Sequence, residues 1–106
     1  NSEAPIYTKV GDNAPVKYGL ESSVKNSLVA DGCMIEGTVE NCVLFRGVKI
    51  AKGAVVRNCV LMQGTEIGEG CNIDAIVADK NVTISANRVL TGSPEYPLYL
   101  GKKATI

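Results

Sequence analysis

Aliphatic residues recur every four to six positions through most of the chain, at Val24, Val29, Ile35, Val39, Leu44, Ile50, Val56, Leu61, Ile67, Ile73, Ala78 and Ile84. A small or β-branched residue stands two positions before several of them, as at Cys33, Val48, Thr65 and Val82, and again at Ala54 and Cys71. Apolar pairs two residues apart are strand-like, whereas an amphipathic helix needs apolar positions three and four apart over ten or more residues. The chain can also be written in blocks beginning at Val24, Val39, Val56 and Ile73, with offsets of 15, 17 and 17 residues. Offsets that preserve residue class in this way mark a structural repeat.

Three columns of the aligned blocks hold residues that tolerate a positive φ. One contains Asn26, Asn41, Asn58 and Ala75; a second Gly32, Gly47, Gly64 and Asn81; a third Gly37, Gly53, Gly70 and Asn87. Glycine and asparagine enter the left-handed region most easily, so such columns predict corners. Three corners per repeat imply three short flat faces per turn. The expected architecture is all-β: a single-stranded parallel β-helix, a triangular solenoid built from hexapeptide repeats, with coils about 4.8 Å apart.

The outward positions agree with in-register stacking. Lys25, Glu40, Arg57 and Asp74 alternate in sign along one column, Lys49 falls beside Glu66, and Lys52 beside Glu69. Directly stacked like charges would repel, and these pair instead. Each surface pair is worth only about 0–1 kcal/mol, so they serve register more than stability.

One face departs from the inside–outside alternation. It reads Ser27-Leu28-Val29-Ala30, Cys42-Val43-Leu44-Phe45, Cys59-Val60-Leu61-Met62 and Ile76-Val77-Ala78-Asp79. With Leu44 and Leu61 inward, Val43, Phe45, Val60 and Met62 point outward, and Leu28 and Val77 extend the stripe. A strand apolar on both sides is usually covered on both. The stripe Leu28, Val43, Phe45, Val60, Met62 and Val77 is therefore the candidate contact surface, for a second subunit or another domain. A solvent-facing patch, or cover by the N-terminal segment, are the alternatives.

Composition narrows the chemistry. The 106 residues are 45% apolar and 21% charged, enough for one domain with a core. Eleven basic residues balance eleven acidic ones, which argues against a dedicated nucleic-acid or anionic-membrane binder. No apolar run approaches the roughly 20 residues of a membrane span, and no signal-peptide pattern is present. The chain has no histidine, which removes Ser-His-Asp and Cys-His catalysis and every histidine-ligated metal site. With five aromatic residues and no tryptophan, a base- or sugar-stacking platform is not expected. Cys33, Cys42, Cys59 and Cys71 form no CxxC pair of the kind zinc sites use. Cys42 and Cys59 share a column between Ser27 and Ile76. A disulfide could span them on distance alone; free thiols used as small core fillers are the other reading. Cys33 and Cys71 fall in different columns. No catalytic, cofactor-binding or metal-ligating residue is assigned, and no cofactor is expected.

Residues 1–19 carry Pro5 and Pro15 and no repeat, and read as a linker or lead-in draped over the first coil. The β-helix domain is expected over 20–106. Residues 88–99, with Pro94 and Pro97, break the repeat, and 100–106 form a final hexad. Tyr96 and Tyr99 are expected to help cap the open end of the core. Lys102 and Lys103 form a small basic cluster, read as a solvated end or a phosphate contact. A chain that begins at Asn1 is expected to be part of something longer.

Pro5-Ile6-Tyr7-Thr8-Lys9, Pro15 and Asn26-Ser27-Leu28-Val29-Ala30-Asp31-Gly32-Cys33 resemble the start of the C-terminal domain of bacterial glucose-1-phosphate adenylyltransferases (ADP-glucose pyrophosphorylases). Ile76-Val77-Ala78-Asp79-Lys80-Asn81 is similar to a later segment of that family. Val39-Glu40-Asn41-Cys42-Val43-Leu44-Phe45-Arg46-Gly47-Val48 looks most like its GlgD-type regulatory subunits. The resemblance implies a left-handed coil, against the usual right-handed crossover. It also implies an N-terminal nucleotidyltransferase-like domain in the parent chain that makes ADP-glucose and pyrophosphate from ATP and glucose 1-phosphate. The β-helix would then be an assembly and regulatory domain in glycogen biosynthesis. Its implied partners are that N-terminal domain and a catalytic adenylyltransferase subunit, in a cytoplasmic oligomer. The catalytic motifs of the family are not in this chain, which alone is not expected to catalyse. Hexapeptide-repeat acyltransferases and carbonic anhydrases share the coil but rely on histidine, and the threonines form no flat ice-binding rows. The β-helix of another sugar-nucleotide transferase, such as a mannose-1-phosphate guanylyltransferase, is the alternative.

Overall fold

The 17-residue period closes into one coil of a three-sided stack. A computed structural model describes residues 15–93 and 95–106. The lead-in motif at Pro5–Lys9, the rest of 1–14, and Pro94 lie outside the described residues. Sheet A contains β1 (Lys17–Tyr18), β4 (Met34–Ile35), β7 (Lys49–Ile50), β10 (Glu66–Ile67) and β13 (Thr83–Ile84). Sheet B contains β2 (Ser23–Lys25), β5 (Thr38–Glu40), β8 (Val55–Arg57), β11 (Asn72–Asp74) and β14 (Val89–Thr91). Sheet C contains β3 (Leu28–Val29), β6 (Val43–Leu44), β9 (Val60–Leu61), β12 (Ile76–Ala78) and β15 (Leu98–Leu100). Each strand pairs in parallel with the strand one coil away, which is the β-solenoid expected from the hexads.

The register is the one the repeat predicts. Val24 pairs with Val39, Val39 with Val56, and Val56 with Ile73. Three inward ladders fill the triangle: Ile35–Ile50–Ile67–Ile84 from sheet A, Val39–Val56–Ile73 from sheet B, and Leu44–Leu61–Ala78–Leu100 from sheet C. All of these side chains are buried. Each fully buried valine, leucine or isoleucine is worth about 1.5–3 kcal/mol relative to exposure. The one buried polar side chain among the described residues is Thr65, whose hydroxyl donates to the Asp79 carbonyl at 3.2 Å. Cys33, one column with Thr65, donates its thiol to the Phe45 carbonyl at 3.2 Å.

Asn26, Asn41, Asn58, Ala75, Asn81 and Asn87 all have φ between 50° and 62°. The predicted corners therefore exist, and one is held by an alanine. Along the first corner the side chains form an amide ladder. Asn26 Nδ2 donates to Asn41 Oδ1, Asn41 Nδ2 to Asn58 Oδ1 at 3.4 Å, and Asn58 Nδ2 to Asp74 Oδ1 at 3.0 Å. Ala75 has no amide to continue it, and Asp74 takes its place.

Gly37 is not the corner residue that its column suggests. Its φ is not positive, unlike those of Gly53 (77°) and Gly70 (68°). The pairing of Thr38 with Val55 sets Gly37 opposite Ala54. Ile35 and Thr38 are separated by two residues where Ile50 and Val55 are separated by four. The 15-residue offset is thus a corner shortened by two residues, and glycine stands there because a Cβ would strike the Ala54 carbonyl.

The stack also runs further than the repeat suggests. Asn72, Ile73 and Asp74 pair with Val89, Leu90 and Thr91, which continues sheet B through part of the stretch read as irregular. The interruption lies at 92–97, between β14 and β15. Tyr96 and Tyr99 do not cap the core: they are 83% and 59% exposed. Leu90, Ala104 and Ile106 pack against its end instead, with Leu100 inside. Aliphatic side chains from the last coil fill the triangle, and the tyrosines are left on its outer surface.

The Tyr99 hydroxyl donates to Asp79 Oδ2 at 2.6 Å. That hydrogen bond, helped by the Lys80 backbone N–H, holds the Asp79 carboxyl below its ordinary range. A depressed carboxylate pKa stabilises the fold above its unfolded value and loses that contribution as pH falls through the folded value. Tyr99→Phe is expected to move the Asp79 titration upward toward the ordinary range. NMR titration of the Asp79 carboxyl carbon checks this, and an unchanged midpoint would remove the Tyr99 contribution.

Candidate functional site

Sheet C places the outward stripe in a single line. Leu28 pairs with Val43, Val43 with Val60, and Val60 with Val77. Short β-strands with in-register neighbours leave these side chains side by side, so the column is continuous. The residues two positions on form a second line: the Ala30, Phe45 and Met62 N–H groups donate to the Leu44, Leu61 and Ala78 carbonyls of the following coil. All six candidate contact residues therefore lie on one face.

Their exposure differs along the stack. Leu28 is 71% and Phe45 44% exposed, while Val43, Val60, Met62 and Val77 are half-buried by their own neighbours in the ladder. Leu28, Ala30, Val43, Phe45 and Arg46 border a shallow, mostly apolar depression of about 290 Å³. Arg46 closes one side of it and pairs with Asp31, Nε to Oδ2 at 3.6 Å. Across the asparagine corner, on sheet B, Arg57 Nε lies 3.7 Å from Glu40 Oε1. An apolar strip flanked by charged pairs has the composition of an interface centre with a polar rim.

One residue of this face was not visible in the repeat. Tyr99 pairs with Val77 and extends the line by one coil. The signal that would have found it is the alternation Leu98-Tyr99-Leu100, hidden because the insertion at 92–97 lengthens the offset from 17 to 22 residues.

Sheet A carries a groove of about 410 Å³ bordered by Met34, Lys49, Glu66 and Thr83, where opposite charges are stacked in register. Among the described residues no three or more cysteine, aspartate or glutamate side chains are grouped to hold a metal ion. No helix among them is long and apolar enough to cross a membrane. All four cysteines are buried free thiols. Burial pushes the Cys33 thiol up from its ordinary value. The apolar column on the surface of sheet C is the candidate site.

Comparison with known proteins places that surface in a context. A family profile described as GlmU-like, C-terminal hexapeptide, matches residues 13–95. The chain is 56% identical over 100 residues to the glycogen biosynthesis protein GlgD of Bacillus subtilis, covering 94% of this chain and 29% of that protein. It is 71% identical over 52 residues to the GlgD of Geobacillus stearothermophilus, covering 49% of this chain and 15% of that protein. A glucose-1-phosphate adenylyltransferase of Geobacillus stearothermophilus is 56% identical over 52 residues, or 48% of this chain and 13% of the enzyme. The chain thus spans less than a third of the curated relatives it matches. With its profile match and its stacked hexads, the chain belongs to the GlmU-like C-terminal hexapeptide family.

Proposed function

We propose that this chain is the assembly and regulatory β-helix domain of a subunit acting with glucose-1-phosphate adenylyltransferase in glycogen biosynthesis. In this reading it does not catalyse. Sheet C is its contact face, packed against a second subunit or against an N-terminal nucleotidyltransferase-like domain of the parent chain, within a cytoplasmic oligomer. The observation that carries the reading is the unbroken outward column Leu28–Val43–Val60–Val77; the outward columns of the other two sheets are interrupted by polar or charged side chains. Similarity to the Bacillus subtilis GlgD over nearly the whole chain supports this setting.

The test uses the full-length parent. It is mixed with a catalytic ADP-glucose-forming subunit, and ADP-glucose production is followed together with the mass of the complex. A mixed complex with an altered rate or regulator response is expected. No association and an unchanged rate would overturn the reading.

A further inference from the structure

Cys42 and Cys59 occupy the same position in consecutive coils. Each directly precedes a paired residue, Val43 and Val60, and the Val43 N–H donates to the Cys59 carbonyl at 2.9 Å. Parallel neighbours place their Cα atoms about 4.8 Å apart, within the span a disulfide bridges. Both side chains point into the core, where each is buried. Each thiol donates to a carbonyl of the next coil, Cys42 to Val56 at 3.4 Å and Cys59 to Ile73 at 4.0 Å. The backbone carbonyls of Glu40 and Arg57 also sit against these two sulfurs, at 3.1 and 2.9 Å. The pair is bounded along its column by Ser27, whose hydroxyl accepts the Cys42 N–H at 3.0 Å, and by the side chain of Ile76. Cys33 and Cys71 lie in other columns and donate elsewhere, to the Phe45 and Ser85 carbonyls.

We propose that Cys42 and Cys59 form an oxidisable dithiol, a site where a small peroxide closes an intrachain disulfide between adjacent coils. The Cys42 sulfur attacks one peroxide oxygen; the O–O bond breaks, the second oxygen leaves as water with the thiol proton, and Cys42 becomes a sulfenic acid. The Cys59 sulfur then displaces that hydroxyl, which leaves as a second water with the Cys59 proton. One S–S bond forms, two thiols are oxidised, and one peroxide is reduced to two waters. Cys42 is written as the attacking group because the two neighbours are unlike: Cys59 beside it holds the Cys42 thiol below its ordinary value, while Cys42 and burial push Cys59 up. A nearly water-sized oxidant suits a site reached only by transient opening of the coil. The product fixes the spacing of the two rungs that carry Val43 and Val60.

The experiment treats the reduced full-length parent with hydrogen peroxide, in buffer and in mild denaturant that raises the frequency of opening. Peptide mapping by mass spectrometry follows. The expected product is a linked Cys42–Cys59 peptide, 2 Da lighter than the two reduced peptides and released by dithiothreitol, with Cys33 and Cys71 still thiols. Cys42→Ser and Cys59→Ser are each expected to abolish it. Cys59→Val, matched to the aliphatic neighbours, serves if the serine hydroxyl is not accommodated in the core. Unreacted thiols in denaturant, over-oxidation to sulfinic acid without a link, or links to Cys33 or Cys71 in place of the pair would each overturn the proposal.

Discussion

Phe45→Glu is expected to release the full-length parent from its assembly while the solenoid stays folded. Phe45 is a 44% exposed aromatic on the candidate face and borders its depression. A buried aromatic anchor at an interface centre is typically worth 2 kcal/mol or more, so the dissociation constant should rise about 30-fold at least. The carboxylate adds a desolvation cost if the contact is retained. Sedimentation mass of the full-length protein and far-ultraviolet circular dichroism, measured together, separate loss of assembly from loss of fold. An unchanged mass would sink the contact face as the assembly surface.

Gly37→Ala is expected to destabilise the fold itself. The added Cβ would meet the Ala54 carbonyl and lie 2.9 Å from the Ala51 carbonyl, both of them backbone atoms of the next coil. Neither can retreat without breaking the ladder that joins Thr38 N–H to the Ala54 carbonyl at 2.8 Å. Overpacking of this kind costs about 1–3 kcal/mol. Gly47→Ala is the informative partner. Nothing lies within 4 Å of its Cβ, but its φ is +69°, so its cost of roughly 1–2 kcal/mol is conformational. Urea midpoints at an unchanged slope would report both. A Gly37→Ala chain as stable as the parent would mean that the short corner can be repacked.

These two glycines also show what the amino-acid order reveals and what it hides. Register was legible because Val24, Val39, Val56 and Ile73 recur at near-constant offsets, and a one-residue slip would turn each of them to the surface. The apolar outward face was legible for the same reason, as Val43 and Val60 break an alternation that Lys49 and Glu66 keep. Gly37 was misleading because glycine signals two different needs, a positive φ or a close approach, and only the spacing of its neighbours separates them. Ala75 carried no signal in its own residue type and was placed only by its column, where it takes a φ of 57°. The last coil was obscured by Pro94 and Pro97, which made 88–99 read as a break although Val89–Thr91 stays in sheet B and the strands resume at Leu98. The fate of Tyr96 and Tyr99 depended on whether aliphatic residues further along would reach the core first, and Ala104 and Ile106 do.

Every strand pairs only with the strands one coil before and one coil after it. Stability in such a stack is nearly a sum of nearest-neighbour terms. Damage is therefore local: fraying of the coil that carries β15 leaves the pairing of β3, β6 and β9 untouched, and with it the Leu28–Val43–Val60 stretch of the contact face. Amide exchange should accordingly be slowest near the middle rungs and quicken toward either end, like a pile of plates loosened from the outside.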